Sequence, residues 1–431
     1  MRRATEHVRF GLALAAVAAG AAAFAIAFRE SLALVYVRLF RAADVLGAVA
    51  NLPTGLRLVI PAAAACGAGF LAGRVARGQG VSNVMEAVAL GRVQLSMRAT
   101  TWRSMGAWLA MTGGLSVGRE GPLIEFGGSL GAAMSSRLGL PLDRLRALVA
   151  AGTAAGFAAA YNTPFAAILF VLETIVGIAA LDALLPMIGA TVIATTLTRA
   201  VAGGGPIYGN RAFALGTPLE LAYYVVLGAL AAGAGALFKA SLAFGESFAD
   251  RVRVARPWKA GLGGLIVGVI AIAMPHVAGN GYEALNGILD QPTGPWLLGS
   301  LLVLKVVATS ASVASGVPGG IFTPVLLVGG ATGAIWGHIL AALGASSSAQ
   351  IGGYALVGMA ATSAATTHAP LTAAVMVFEL SGDYPIAVPL LLATVVSTAL
   401  SRWSGSESVY TTELQRRGVR WALTLDGRHI Q

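Results

Sequence analysis

Apolar segments follow one another along nearly the whole chain, and many are too short to cross a bilayer. They run at 11–28, 58–72, 105–117, 147–160, 164–180, 183–198, 219–240, 260–274, 297–313, 321–343, 351–365, 371–380 and 386–400. A membrane-spanning helix needs about 20 residues. Many of these segments are bordered by the chain's 56 glycines. Short helices broken by glycine or proline at membrane depth belong to transporters, where irregular backbone lines a cavity. Only 11% of residues are charged, against about 25% in a soluble domain. The pattern predicts an all-α polytopic membrane protein with many tilted and discontinuous helices.

The net charge is +10, with basic clusters at both ends: Arg2, Arg3 and Arg9, then Arg416, Arg417, Arg420 and Arg428. By the positive-inside rule both termini lie in the cytoplasm and the crossings are even in number. The basicity has a second reading, the attraction of an anionic substrate. No basic stretch interleaves with aromatics, so nucleic-acid binding has no support. A single cysteine, Cys66, excludes an internal disulfide or a cysteine-ligated metal site. The opening residues resemble a signal peptide, but the apolar run 11–28 is long for one and reads as a first helix.

The chain repeats itself. "GQGV" at 78–81 matches "GNGY" at 279–282, and "GREGPLIEFGGSLG" at 118–131 matches "GIFTPVLLVGGATG" at 320–333. "GTAAGFAAAYNTPFAAILFVLE" at 152–173 matches "GMAATSAATTHAPLTAAVMVFE" at 358–379, pairing Glu173 with Glu379. The three matches keep their order at nearly constant offset, which points to duplication. Two halves with odd numbers of spans would be inverted relative to one another. The expected division is an N-terminal cytoplasmic segment and first helix at 1–50, membrane repeats at 51–215 and 216–402, and a C-terminal helix or tail at 403–431.

The repeated landmarks are glycine turns leading into apolar helices. Each helix start carries unpaired N–H groups and a partial positive charge. Several such starts converging at the midplane would make an anion site almost free of full charges, one that binds an ion without trapping it. Within "GREGP", Glu120 puts a carboxylate at membrane depth, at a cost of at least ~2.5–3.5 kcal/mol, which marks it as functional. At a helix start it can compete with the ion for the same N–H groups and leave when protonated. The matching turn "GIFTP" carries no charge, so an exposed Arg–Glu pair is the poorer reading.

These motifs resemble the CLC family of chloride channels and chloride/proton antiporters. "GREGP" stands as that family's gating-glutamate motif, and "SGVPGGIFTP", "YNTPFAAILFVLE", "HAPLTAAVMVFEL" and "SESVYTTEL" are similar to its other signatures, over about residues 60 to 415. The resemblance implies the CLC fold of two inverted-topology repeats and a homodimer with one pathway per subunit. It implies a bacterial inner-membrane member without metal, ATP or other cofactor. Its partners would be chloride, protons and membrane lipid. Glu120 would be the gate and proton acceptor. N–H groups of Gly80, Arg119, Glu120, Gly121, Ile321 and Phe322, with the Gln79 side chain and the Tyr410 hydroxyl, would meet the anion.

The departures from the family pattern bear on mechanism. The first motif reads "GQGVS", with Gln79 in place of the usual serine and Ser82 in place of proline, which leaves fluoride or nitrate open beside chloride. The inner proton-path position falls at Glu173 and Thr174, where Thr174 replaces the acid of many coupled members, leaving a passive channel as the alternative to an antiporter. Glu173 and Glu379 read as caps or backbone acceptors in the bundle interior. Glu125 stands where a neutral residue is common, either paired or a second titrating group. Arg103 either biases the field toward anions or snorkels from a helix end. Lys305 and His368 read as buried or interfacial polar groups. An enzyme would need the nucleophile elbow that "GLSVG" around Ser116 formally matches, with His338 or His368 as base, but no strand pattern surrounds it.

Overall fold

The computed structural model describes residues 2–75, 80–90, 95–177, 181–209, 218–290, 293–346, 350–419, 421–424 and 427–430. Gln79 and the expected boundary between the repeats at 215/216 lie outside the described residues.

The chain opens with α1 (Arg2–Val35), a helix of 34 residues, and the short α2 (Val45–Ala50). The first half continues through α3 (Thr54–Gly73), α4 (Val81–Leu90), α5 (Met97–Thr112), α6 (Glu120–Leu138), α7 (Leu142–Tyr161), α8 (Pro164–Phe170) and α9 (Leu184–Ala202). The second half runs through α10 (Leu221–Arg251), α11 (Arg256–Ala273), α12 (Tyr282–Asp290), α13 (Pro295–Ala314), α14 (Phe322–Ala342), α15 (Ile351–Thr367), α16 (Pro370–Ser381) and α17 (Ala387–Trp403). Helix α18 (Val409–Arg416) follows, then a small antiparallel hairpin of β1 (Trp421–Thr424) and β2 (Gly427–Ile430). The hairpin is an addition to the helical tail expected at 403–431.

Among the described residues, seven segments are long and apolar enough to cross a membrane. Three further apolar segments, Pro164–Val176, Pro370–Ser381 and Ala387–Trp403, are shorter, and the protein is an integral multi-pass membrane protein with discontinuous helices. The first apolar run, 11–28, lies inside α1, whose Val17, Ala18, Ala21, Ala22, Ala25 and Phe28 are buried. Helix α1 packs on α6, α7 and α9. The sequence reading did not delimit α4 and α12, because helices of 10 and 9 residues leave little periodicity.

The halves match element by element, and their relation is inverted. Gly118 and Gly320 form an antiparallel bridge, each N–H donating to the other's carbonyl at 2.7 Å. The bridge sets the first residues of α6 and α14 against one another, as a two-fold relation requires. The helix pairs α6/α7 and α14/α15 cross in matching ways: a Cβ on Gly127 would meet the Gly152 carbonyl, and one on Gly329 the Gly358 carbonyl. Backbones approach this closely only where both sides lack a side chain.

The halves also exchange caps. The Glu173 carboxylate accepts from the N–H groups of Leu371 at 3.1 Å and Thr372 at 2.7 Å, at the start of α16. The Glu379 carboxylate accepts from Phe165 at 3.1 Å and Ala166 at 2.8 Å, at the start of α8. Proline at the first position of each helix donates nothing, so each glutamate satisfies N–H groups that the helix cannot.

Candidate functional site

The site is built where α6 and α14 begin. Glu120 is the first residue of α6 and only 2% exposed. Its side chain reaches across the Gly118–Gly320 bridge, and one carboxylate oxygen accepts from the Phe322 N–H at 2.5 Å. The carboxylate thus sits on the amino terminus of α14, where the orphan N–H groups and the helix dipole favour an anion. The side chain lies against Gly118 and Gly320, and a Cβ at either would overlap its carboxylate.

Two further groups hold Glu120, and neither is marked in the sequence. The Tyr161 hydroxyl donates to the second carboxylate oxygen at 3.1 Å, and the Thr323 hydroxyl approaches the same oxygen at 3.4 Å. The two hydroxyls are themselves 2.8 Å apart. Tyr161 ends α7 just before Asn162, whose left-handed backbone (φ 59°) turns the chain into Pro164. A lone tyrosine in an alanine-rich run carries no visible signal of this role. The "YNTP" turn that places it was visible.

The Arg119–Glu120 turn separates two cavities. One, of about 370 Å³, is lined by Gly80, Glu120, Gly121, Ile321 and Tyr410 among others. The other, of about 450 Å³, is lined by Arg119, Arg29, Asn162, Asn280 and Glu283 among others. Neighbouring residues therefore face different cavities, Arg119 the second and Glu120 the first.

The structure thus brings Gly80, Glu120, Gly121, Ile321 and Tyr410 to one cavity, with the Phe322 N–H engaged by Glu120. Tyr410 is buried on α18, edge-on to Phe170 with ring centroids 6.1 Å apart. Its hydroxyl has no hydrogen-bond partner among the described residues. Ser82 lines the same cavity. Gly80 departs from expectation: its N–H donates to the Glu125 carboxylate at 2.8 Å.

Glu173 and Thr174 lie in a π-helical turn, Val171–Val176, that extends α8. Neither lines the cavity among its described residues. Glu173 takes the Thr372 N–H and hydroxyl, and the Thr174 hydroxyl donates to the Phe170 carbonyl. Glu125 is paired: it is 1% exposed and salt-bridged to Arg103. Lys305 is fully buried and donates to the carbonyls of Val277 and Gly279. The Ser116 hydroxyl meets Thr309, while His338 bonds the Thr293 carbonyl and His368 the Ser401 hydroxyl, so neither histidine is partnered with Ser116.

The sequence matches the family model for voltage gated chloride channels over residues 58–402. A putative chloride channel protein, ClcB-like, from Ralstonia nicotianae is 37% identical over 421 residues, covering 94% of this chain and 96% of the relative. The voltage-gated ClC-type chloride channel ClcB of Salmonella typhimurium is 33% identical over 380 residues, 84% of this chain and 89% of its own. Among solved structures, a slow cyanobacterial Cl⁻/H⁺ antiporter superposes with a TM-score of 0.87 at 24% identity, over 95% of this chain and 98% of its own. A CLC-type fluoride/proton antiporter reaches a TM-score of 0.73 at 22% identity, over 93% and 96%. The bridged helix starts, the exchanged caps and the family match over most of the chain converge on one assignment: this chain belongs to the voltage-gated chloride channel family.

Proposed function

We propose that the protein carries chloride across the membrane in exchange for protons, with Glu120 serving both ions. One observation carries this reading. The Glu120 carboxylate occupies the amino terminus of α14 at the wall of the Tyr410 cavity, so a chloride ion and this side chain compete for one set of donors. Protonation removes the negative charge that those N–H groups hold, frees the side chain to leave, and opens the site to chloride. The same swing takes a proton from one cavity toward the other. Released Phe322 N–H, the Ile321 and Gly121 N–H groups and the Tyr410 hydroxyl would then hold the ion. Binding by N–H dipoles and one hydroxyl is strong enough to strip water and weak enough to let the ion go.

The basic terminal clusters support cytoplasmic ends, which makes the Tyr410 cavity the cytoplasmic mouth. The family supports a homodimer, and the relatives support a place in a bacterial plasma membrane. A passive channel is the second reading. It rests on Thr174, since a hydroxyl does not titrate near neutral pH and so does not shuttle protons as a carboxylate does.

The basic test is chloride efflux from liposomes holding the purified protein, with valinomycin to relieve the electrical load. Efflux above that of empty liposomes supports the reading, and efflux equal to theirs contradicts it. Tyr161→Phe gives a finer expectation. It removes one donor to the carboxylate, a bond to a charged group worth about 1.5–3 kcal/mol. The ring keeps its packing on Phe157, 5.2 Å between centroids. Efflux should rise by roughly tenfold with the fold intact. An unchanged initial rate would show that the hydroxyl does not restrain Glu120.

A further inference from the structure

The two halves differ in how they treat a matched pair of buried cations. Arg103 on α5 and Lys305 on α13 are 202 residues apart, the offset that also relates Gly118 to Gly320. Lys305 bonds to the carbonyls of Val277 at 2.9 Å and Gly279 at 2.8 Å, and no carboxylate is salt-bridged to it among the described residues. Arg103 is salt-bridged to Glu125, and the residue matching Glu125 in the second half is the apolar Leu327.

Glu125 does more than neutralise Arg103. It accepts from the Gly80 N–H at 2.8 Å, from the Asn83 amide at 3.1 Å and from the Thr100 hydroxyl at 3.3 Å. Asn83 in turn accepts from Arg417 at 2.7 Å, the residue that directly follows the helix carrying Tyr410. These are the partners of a bound anion: a guanidinium, a backbone N–H at a helix start and an amide. Gly80 and Tyr410 line the same cavity as Glu120.

We infer that Glu125 is a built-in anion that sets how strongly the Tyr410 cavity attracts chloride, by cancelling the charge of Arg103 and by occupying the Gly80 N–H. The inference rests on the chloride-transport reading. It makes the two halves unlike: Arg103 is neutralised by direct contact with Glu125, whereas Lys305 is held by backbone carbonyls with the Glu283 carboxylate nearby. Glu125 touches no ion in this account; it is a positioning and charge-setting residue.

The test is a charge series read as half-saturating chloride, by calorimetry on chloride-free purified protein. Glu125→Gln leaves Arg103 uncompensated, and half-saturation should fall by roughly tenfold, the order expected for one poorly screened elementary charge near the ion. Arg103→Gln should raise it by a similar factor. The double variant, neutral at both positions, should return to within about twofold of the parent. A purely structural pair would weaken binding in both single variants. Single variants that move together, or a series that stays flat, overturn the inference.

Breaking a buried pair destabilises strongly, so a second measurement uses the parent alone. In parent crystals soaked in bromide, anomalous scattering should show no ion bonded to the Gly80 N–H. Bromide there, with Glu125 displaced, also overturns it. If the parent itself binds no chloride, the transport reading fails instead, so the two failures are distinct.

Discussion

Glu120→Gln should keep chloride moving and abolish the proton movement that accompanies it. The amide is nearly isosteric and can still accept from Phe322, but it carries no charge and takes up no proton near neutral pH. Competition for the α14 amino terminus weakens, because the N–H groups and helix dipole favour a charged acceptor over a neutral one. Chloride flux in the variant should therefore lose its dependence on pH. Parallel recordings of chloride efflux and external pH from liposomes check both halves of this result. A variant that still moves protons would remove Glu120 from the proton path.

Gly152→Ala should cost the protein its fold. The added methyl group would meet the Gly127 carbonyl where α6 and α7 cross. Overpacking costs about 1–3 kcal/mol where side chains can shift. Here the obstacle is backbone of a partner helix, and it cannot rotate away. Separating the helices would also pull the start of α6, and Glu120 with it, from α14. Gly358→Ala, the matched position in the second half, should fail in the same way against Gly329. Gly233→Ala is the control. It lies in α10 with open space around it, and a helix gains up to about 1 kcal/mol from that change. Thermal unfolding in detergent distinguishes the three. A Gly152→Ala protein that melts with the parent would mean the helices do not pack as described.

Much of this architecture is legible in the sequence, because duplication makes each landmark appear twice. The Gly118/Gly320, Pro164/Pro370 and Glu173/Glu379 pairs mark helix starts and caps without any structure. What the pairs do not reveal is the exchange: Glu173 caps a helix of the other half, a contact between residues about 200 positions apart. Glu120 stood out because a carboxylate in an apolar run needs a reason. Tyr161 and Thr323 did not, since hydroxyls are cheap to bury and common in helices. Glu125 was conspicuous as a charge, but its partners come from two separate segments, Gly80–Asn83 and Thr100–Arg103. Only the fold brings these together.

The central claim is that chloride and protons exchange through Glu120. The most direct measurement loads liposomes holding the protein with high chloride, clamps the voltage with valinomycin, and sets an opposing pH gradient. The account predicts that chloride leaving the liposomes draws protons inward against their own gradient, and that Glu120→Gln stops the proton movement alone. Chloride efflux with no uphill proton uptake would contradict exchange and make this family member a passive chloride pathway.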